Sequence, residues 1–148
     1  MNDKDISMLL LKNMGDFRNL IKIANTERYN IGKVLTEKQF FVLIRLQDCK
    51  KIELKNLSKD LHVSTSSLCI LLNKLVEKEY VFREEDSRDR RNTFYGITEK
   101  GNEVMNGEVE KFVEISKNKL NELSQEDKDT FSVSLLSVSN IMNKLIEL

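Results

Sequence analysis

Asp86-Ser87-Arg88-Asp89-Arg90-Arg91-Asn92-Thr93-Phe94-Tyr95-Gly96-Ile97-Thr98-Glu99-Lys100-Gly101 is the stretch whose reading decides the fold. Arg88, Arg90 and Arg91 crowd its charged tip. Apolar residues flank that tip: Tyr80, Val81 and Phe82 before it, Phe94, Tyr95 and Ile97 after. Two short β-prone runs joined by a polar loop predict a hairpin over residues 80–97. An arginine tip adds little to a core but suits gripping phosphate or entering a groove. Taken alone, the stretch reads more readily as a solvated surface hairpin. Its upstream neighbours separate the two readings.

Immediately upstream, Ser64 is a predicted N-cap for a helix over residues 64–78. Leu68, Leu71, Leu72 and Leu75 fall at the i, i+3, i+4, i+7 spacing of a buried face. At about 100° per residue, Ser66, Ile70, Asn73 and Glu77 point the other way, with Thr65, Cys69 and Lys74 on the flanks. The first half of this outer face is nearly uncharged. Small polar residues and one isoleucine suit close docking into a groove, although a plain surface with one stray apolar residue has the same pattern. Further upstream, Lys55 to Leu61 predicts a short helix, His62-Val63 a turn, and Ile52-Glu53-Leu54 one short strand. A short helix, a turn, a second helix and an Arg-tipped hairpin, in that order, make a winged helix-turn-helix.

Working outward, Leu35-Thr36-Glu37-Lys38-Gln39-Phe40 opens another helix. Thr36 caps it, Gln39 completes a capping box, and Leu35 and Phe40 stand at the staple positions. Residues 6–28 predict a long first helix whose stripe of Ile6, Leu10, Asn13, Phe17, Leu20 and Ala24 is widened by Leu9, Met14 and Ile21. Gly32 breaks the chain after it. Thr98 caps a fifth helix running to about Leu123. Ser124-Gln125-Glu126-Asp127 starts a sixth, along which Phe131, Leu135, Val138, Met142 and Leu145 recur at alternate spacings of four and three. Leu136, Ile141, Ile146 and Leu148 line an adjacent stripe. Terminal helices this apolar need more partners than one winged-helix domain offers, which points to a dimer interface through Ile6, Leu10 and the stripe of the sixth helix. Packing of the two terminal helices within one chain is the other reading. The expected fold is mainly α (α+β): a winged helix-turn-helix DNA-binding domain over 35–98, with long N- and C-terminal helices, 1–34 and 99–148, forming a dimerisation region.

The 148 residues suit one compact domain with helical extensions, and the formal net charge is zero. Charge is unevenly spread. Residues 50–91 hold ten Lys/Arg against eight Asp/Glu, whereas residues 101–148 hold five against nine. A local positive feature on a neutral protein can dock on DNA while an acidic tail faces away. No apolar run approaches the ~20 residues of a membrane span, and Met1-Asn2-Asp3-Lys4-Asp5 lacks the basic start of a signal peptide. A cytoplasmic location is expected, with Cys49 and Cys69 kept as thiols.

Over essentially its whole length the chain resembles the MarR family of bacterial transcriptional regulators. The run Asp86-Ser87-Arg88-Asp89-Arg90-Arg91 followed by Ile97-Thr98-Glu99-Lys100-Gly101 looks like that family's wing motif. Leu61-His62-Val63-Ser64 with Ser66, Ser67 and Leu75 is similar to its recognition-helix pattern. The resemblance implies a homodimer built from the first, fifth and sixth helices and a recognition helix, residues 64–78, in the major groove. It implies a wing in the adjacent minor groove, with Arg91 as the inserted arginine and Asp89 as its brace. A narrow minor groove concentrates the negative potential that attracts arginine. Some positions depart from the family pattern. Ser87 replaces a frequent proline and Glu79 a common helix-ending glycine. Cys69 and Ile70 stand where threonine and arginine or asparagine are common, which favours contact with thymine methyls and an A·T-rich operator.

These readings converge on a repressor that binds a pseudo-palindromic double-stranded operator as a homodimer. Ser64, Thr65, Ser66, Cys69, Ile70, Asn73 and Lys74 are the expected groove contacts of the recognition helix; Arg88, Arg90 and Arg91 are those of the wing, braced by Asp86 and Asp89. Lys55, Lys59, Lys74, Arg88 and Arg90 suit phosphate contacts. Residues 1–31 lack the cysteine that peroxide-sensing members carry on the first helix, and His62 is the only histidine, so no metal site or cofactor is expected. A small apolar or aromatic effector remains, with Phe17, Ile21, Phe41 and Ile44 as candidate pocket residues. Two alternatives stay open: a winged-helix module for protein interaction, and a thiol-responsive repressor using Cys69. No constellation for enzyme chemistry assembles from these residues.

Overall fold

With no proline in the chain, helices run unbroken. The computed structural model describes residues 1–30, 32 and 34–147, leaving aside the side chains of Tyr29 and Asn30; Leu148 of the last apolar stripe lies outside the described residues. The elements in order are α1 (Asp3–Asn30), α2 (Glu37–Gln47), β1 (Ile52–Glu53), α3 (Leu54–Asp60), α4 (Thr65–Glu77), β2 (Val81–Glu85), β3 (Thr93–Ile97), α5 (Glu99–Leu120) and α6 (Gln125–Glu147). They fall into two compact units, Met1–Phe112 and Val113–Leu148. Among the described residues no helix is long and apolar enough to cross a membrane.

The caps read from the sequence form. Thr36 and Gln39 make a reciprocal capping box at the start of α2, and the Ser64 hydroxyl accepts the Ser67 N–H at the start of α4. At the start of α1, Asn2 and Asp5 exchange side chain-to-backbone bonds of 3.0 and 3.1 Å. That second box lets the helix begin at Asp3, ahead of the predicted Ile6. Two further boundaries differ. Leu54 belongs to α3 rather than to the short strand. α5 stops at Leu120, where the Glu122 and Leu123 N–H groups turn back to the Lys119 and Leu120 carbonyls.

In the first unit the core is aliphatic. Leu35, Leu43, Leu46, Leu57, Leu68, Leu72, Leu75 and Val81 pack with Tyr95 and Met105, all nearly fully buried. The three strands form one antiparallel sheet in the order β1-β3-β2, with Ile52 opposite Tyr95 and Val81 opposite Ile97. Two turns hold non-glycine residues in left-handed conformations: His62 (φ 51°) between α3 and α4, and Glu79 (φ 62°) after α4. The second stands where the resembled family commonly has glycine, and here a non-glycine residue takes the left-handed cap.

α1 leaves this core exposed. Residues 3–23 are open along their whole length, and among the described residues only Ala24 and Arg28 are buried. Arg28 pairs with Glu108 of α5, their side chains 4 % and 1 % exposed. In the second unit, Ser124 caps α6 by accepting the Asp127 N–H at 3.0 Å, and α6 has no buried residue among those described.

Candidate nucleic-acid interface

α4 is seated by its leucines. Leu68, Leu72 and Leu75 are buried, which turns Thr65, Ser66, Ile70, Asn73 and Lys74 outward and exposed, as the helical spacing predicts. Ile70 is 62 % exposed, an unusual state for an isoleucine within a helix of this core. Ser64 is exposed too, but its hydroxyl is engaged, accepting the Ser67 N–H at 3.3 Å and donating to the Ser67 hydroxyl at 2.9 Å. Cys69 is half-buried and faces the phenol of buried Tyr95. Burial pushes that phenol above its ordinary value, the Cys69 thiol adds to the rise, and Arg83 offsets part of it. The sequence pattern did not reveal Tyr95 beneath α4.

The wing is a short ladder closed by aspartates. β2 and β3 pair from Val81–Ile97 to Glu85–Thr93, and beyond them the Asp86 N–H donates to the Asn92 carbonyl at 3.0 Å. Within the tip, Asp86 Oδ1 accepts the Arg88 N–H at 2.9 Å, and Asp89 Oδ1 accepts the Arg91 N–H at 3.0 Å. Both are Asx turns, in which a short carboxylate holds the backbone two residues on. Asp89 also lies 3.5 Å from Arg91 Nε, while the Arg91 side chain remains 93 % exposed. Arg88 and Arg90 are exposed and form no ion pair among the described residues. The tip thus presents three guanidinium groups on a backbone fixed by two carboxylates. One pair short of the tip end of the ladder, Lys51 bonds Glu84 at 2.9 Å and lies over the Phe94 ring, tying the segment before β1 to both wing strands.

Lys55 and Lys59 of α3 are exposed, as is Lys74 of α4. The order and exposure of these groups suit a duplex: small polar and apolar atoms on one helix, guanidinium groups on one loop, ammonium groups around them. An Arg45–Asp60 pair, Nη2 to Oδ2 at 2.6 Å, holds α2 to the end of α3 and so fixes the helix-turn-helix from behind. Nothing in the local spacing announced it.

The remaining sequence-derived residues are placed as follows. Phe17, Ile21, Phe41 and Ile44 are each between 37 % and 49 % exposed. Phe41 lines a cavity of about 230 Å³ together with Lys38, Val42, Leu61, Val63, Ser67, Leu68 and Leu71; Phe17, Ile21 and Ile44 are not part of its lining. Ile6 and Leu10 are exposed on α1. Phe131, Leu135, Val138, Met142 and Leu145 are exposed on α6.

Residues 14–107 match the model of the family described as transcriptional regulator SarA/Rot. The HTH-type transcriptional regulator SarZ of Staphylococcus epidermidis (strain ATCC 35984) is 33 % identical over 72 residues, 49 % of this chain. The chain spans about half the length, 49 %, of that curated relative. SarZ of Staphylococcus aureus (strain USA300) is 29 % identical over 111 residues, covering 75 % of this chain and 67 % of the relative. Among solved structures, a MarR family protein from Bacillus stearothermophilus superposes with a TM-score of 0.78 at 21 % identity, over 97 % of this chain and 99 % of that one.

Proposed function

The chain belongs to the SarA/Rot family of transcriptional regulators, and from that premise we propose that it binds a pseudo-palindromic DNA operator as a homodimer and represses transcription there. The observation that carries this reading is the tip of the wing. The Arg91 side chain is 93 % exposed on a backbone held by Asp89, and among the described residues its charge meets only that same carboxylate, at 3.5 Å. In the proposed complex α4 lies in the major groove, with Thr65, Ser66, Ile70 and Asn73 toward the bases. The wing enters the adjacent minor groove through Arg91, and Arg88 and Arg90 meet phosphates. The exposed apolar stripes of α1 and α6 meet a second copy, and the two α4 helices then stand about one helical turn apart.

The same reading gives the cavity a use. It lies between α2, the turn before α4 and α4 itself, is mostly apolar, and has Lys38 on its rim. A small apolar or aromatic effector held there, acting in the cytoplasm, would bias the position of the recognition helix and so the DNA-competent state.

Selection of duplexes from a random library at fixed salt, followed by a salt titration of the enriched sequence, tests the proposal. The expected result is a two-fold-related sequence bound with a steep negative salt slope. Equal binding to every duplex, or none at low salt, overturns it.

A further inference from the structure

The geometry points to Glu108 as a positioning residue: paired with Arg28, it sets the direction in which α1 leaves the winged-helix domain. The consequence for DNA, a fixed separation of two recognition helices, rests on the dimer proposed above.

α1 has 28 residues and is therefore about 42 Å long. Its described side chains are buried only at Ala24 and Arg28, so the rest of the domain grips this lever at its last two turns. The grip is polar. An Arg28 Nη2 bonds one Glu108 carboxylate oxygen, Arg28 Nη1 bonds Asn25 Oδ1 at 3.1 Å, and the guanidinium lies 5.1 Å from the centre of the Phe40 ring. The other Glu108 oxygen accepts the Val34 N–H at 3.3 Å and Lys111 Nζ at 2.9 Å. Lys111 Nζ also bonds the Gly32 carbonyl at 2.7 Å. One buried carboxylate thus joins the end of α1, the connection to α2, and α5.

Apolar packing at such a junction would hold nearly as well in several orientations. A desolvated ion pair does not, because any slip leaves a buried charge unpaired. Orientation matters here because of the lever: a tilt of about 5° at Arg28 moves the far end of a 42 Å helix by roughly 4 Å. A dimer built on that far end would pass the error on to the spacing of its recognition helices.

The test uses the full chain with Cys49→Ser and Cys69→Ser, and nitroxide labels at Lys12→Cys on α1 and Asn56→Cys on α3. Dilution into excess unlabelled protein leaves only the distance within one chain. The parent is expected to give one narrow distribution. Glu108→Gln and Arg28→Met are expected to widen it about twofold, or shift it by about 3 Å, while circular dichroism shows the fold retained. A distribution superimposable on the parent's in the folded variants overturns the role. Should Glu108→Gln fail to fold, Arg28→Lys, which keeps the charge but shortens the reach to Glu108, is read beside Arg28→Met against the same criterion. An undiluted sample labelled only at Asn56→Cys reports the distance between chains. Absence of that distance overturns the dimer, while the distance within one chain still decides the role of Glu108.

Discussion

The Thr98 hydroxyl donates to the Glu79 carbonyl at 2.6 Å and accepts the Gly101 N–H at 3.0 Å. One side chain thereby caps α5 and fastens it to the turn that ends α4, so α4 and the exit of the wing share a joint. The Thr98 N–H adds a bond to the Tyr80 carbonyl. Thr98→Val removes the cap and leaves the Glu79 carbonyl short of a donor. A loss of about 1–2 kcal/mol in urea denaturation is expected.

Gly101 sits inside the same joint. A Cβ there would overlap the Tyr80 carbonyl oxygen, which is backbone and cannot step aside, whereas a Cβ on Gly107, further along α5, would meet nothing within 4 Å. The same substitution should therefore have opposite signs. Gly101→Ala is expected to destabilise by about 1–3 kcal/mol and Gly107→Ala to stabilise by up to about 1 kcal/mol, both from denaturation midpoints.

Glu79 holds a left-handed backbone with a side chain that gains only an exposed pair with Lys100 at 3.1 Å. Glu79→Gly relieves the conformational cost and forfeits little. Stability should rise by up to about 1 kcal/mol, and a fall would show that the Lys100 pair outweighs the backbone.

For DNA, Arg91→Ala should weaken operator binding by about 1–3 kcal/mol and leave the melting temperature unchanged, because the side chain is 93 % exposed and its 3.5 Å pair with Asp89 is screened by solvent. Arg88→Ala should instead lower the magnitude of the salt slope by about one unit, with little change in sequence preference. Gel-shift titrations at several salt concentrations check both.

Acid should find the Glu108 junction. Burial pushes its carboxyl up, but bonds from Lys111, Arg28 and the Val34 N–H outweigh burial and hold the group below its ordinary value. The unfolded chain thus takes up this proton first, at about pH 4.3. The stability Glu108 contributes is complete above that value and is lost as pH falls through the lower folded one. Melting curves between pH 7 and 3 should show Glu108→Gln less stable at neutrality and less steep below about pH 4. A curve parallel to that of the parent would contradict this.

Much of the fold was legible because its signals are local. Thr36 with Gln39, Ser64, Thr98 and Ser124 each announce a helix start within four residues, and the polar tip between Val81 and Ile97 announces the hairpin. The outward face of α4 follows from the helical repeat alone. What stayed hidden depends on partners far along the chain. Arg28 reads as an ordinary cation in a last helical turn, and Glu108 as one carboxylate among the many of an acidic segment. They are 80 positions apart, and periodicity carries no information about which side chains meet at that range. Tyr95 beneath Cys69 was hidden for the same reason: the run after the tip marks it as an apolar flank without saying what lies above it.

α6 is 23 residues of helix without one buried side chain among those described. In proteins most helical stability comes from packing of an apolar face, so in the proposed dimer the order of α6 depends on mass action. Whatever covers it must be supplied at some concentration, and the protein's stability then becomes a function of dose. A cell would set the working amount of this regulator through the midpoint of that assembly as much as through its affinity for any operator.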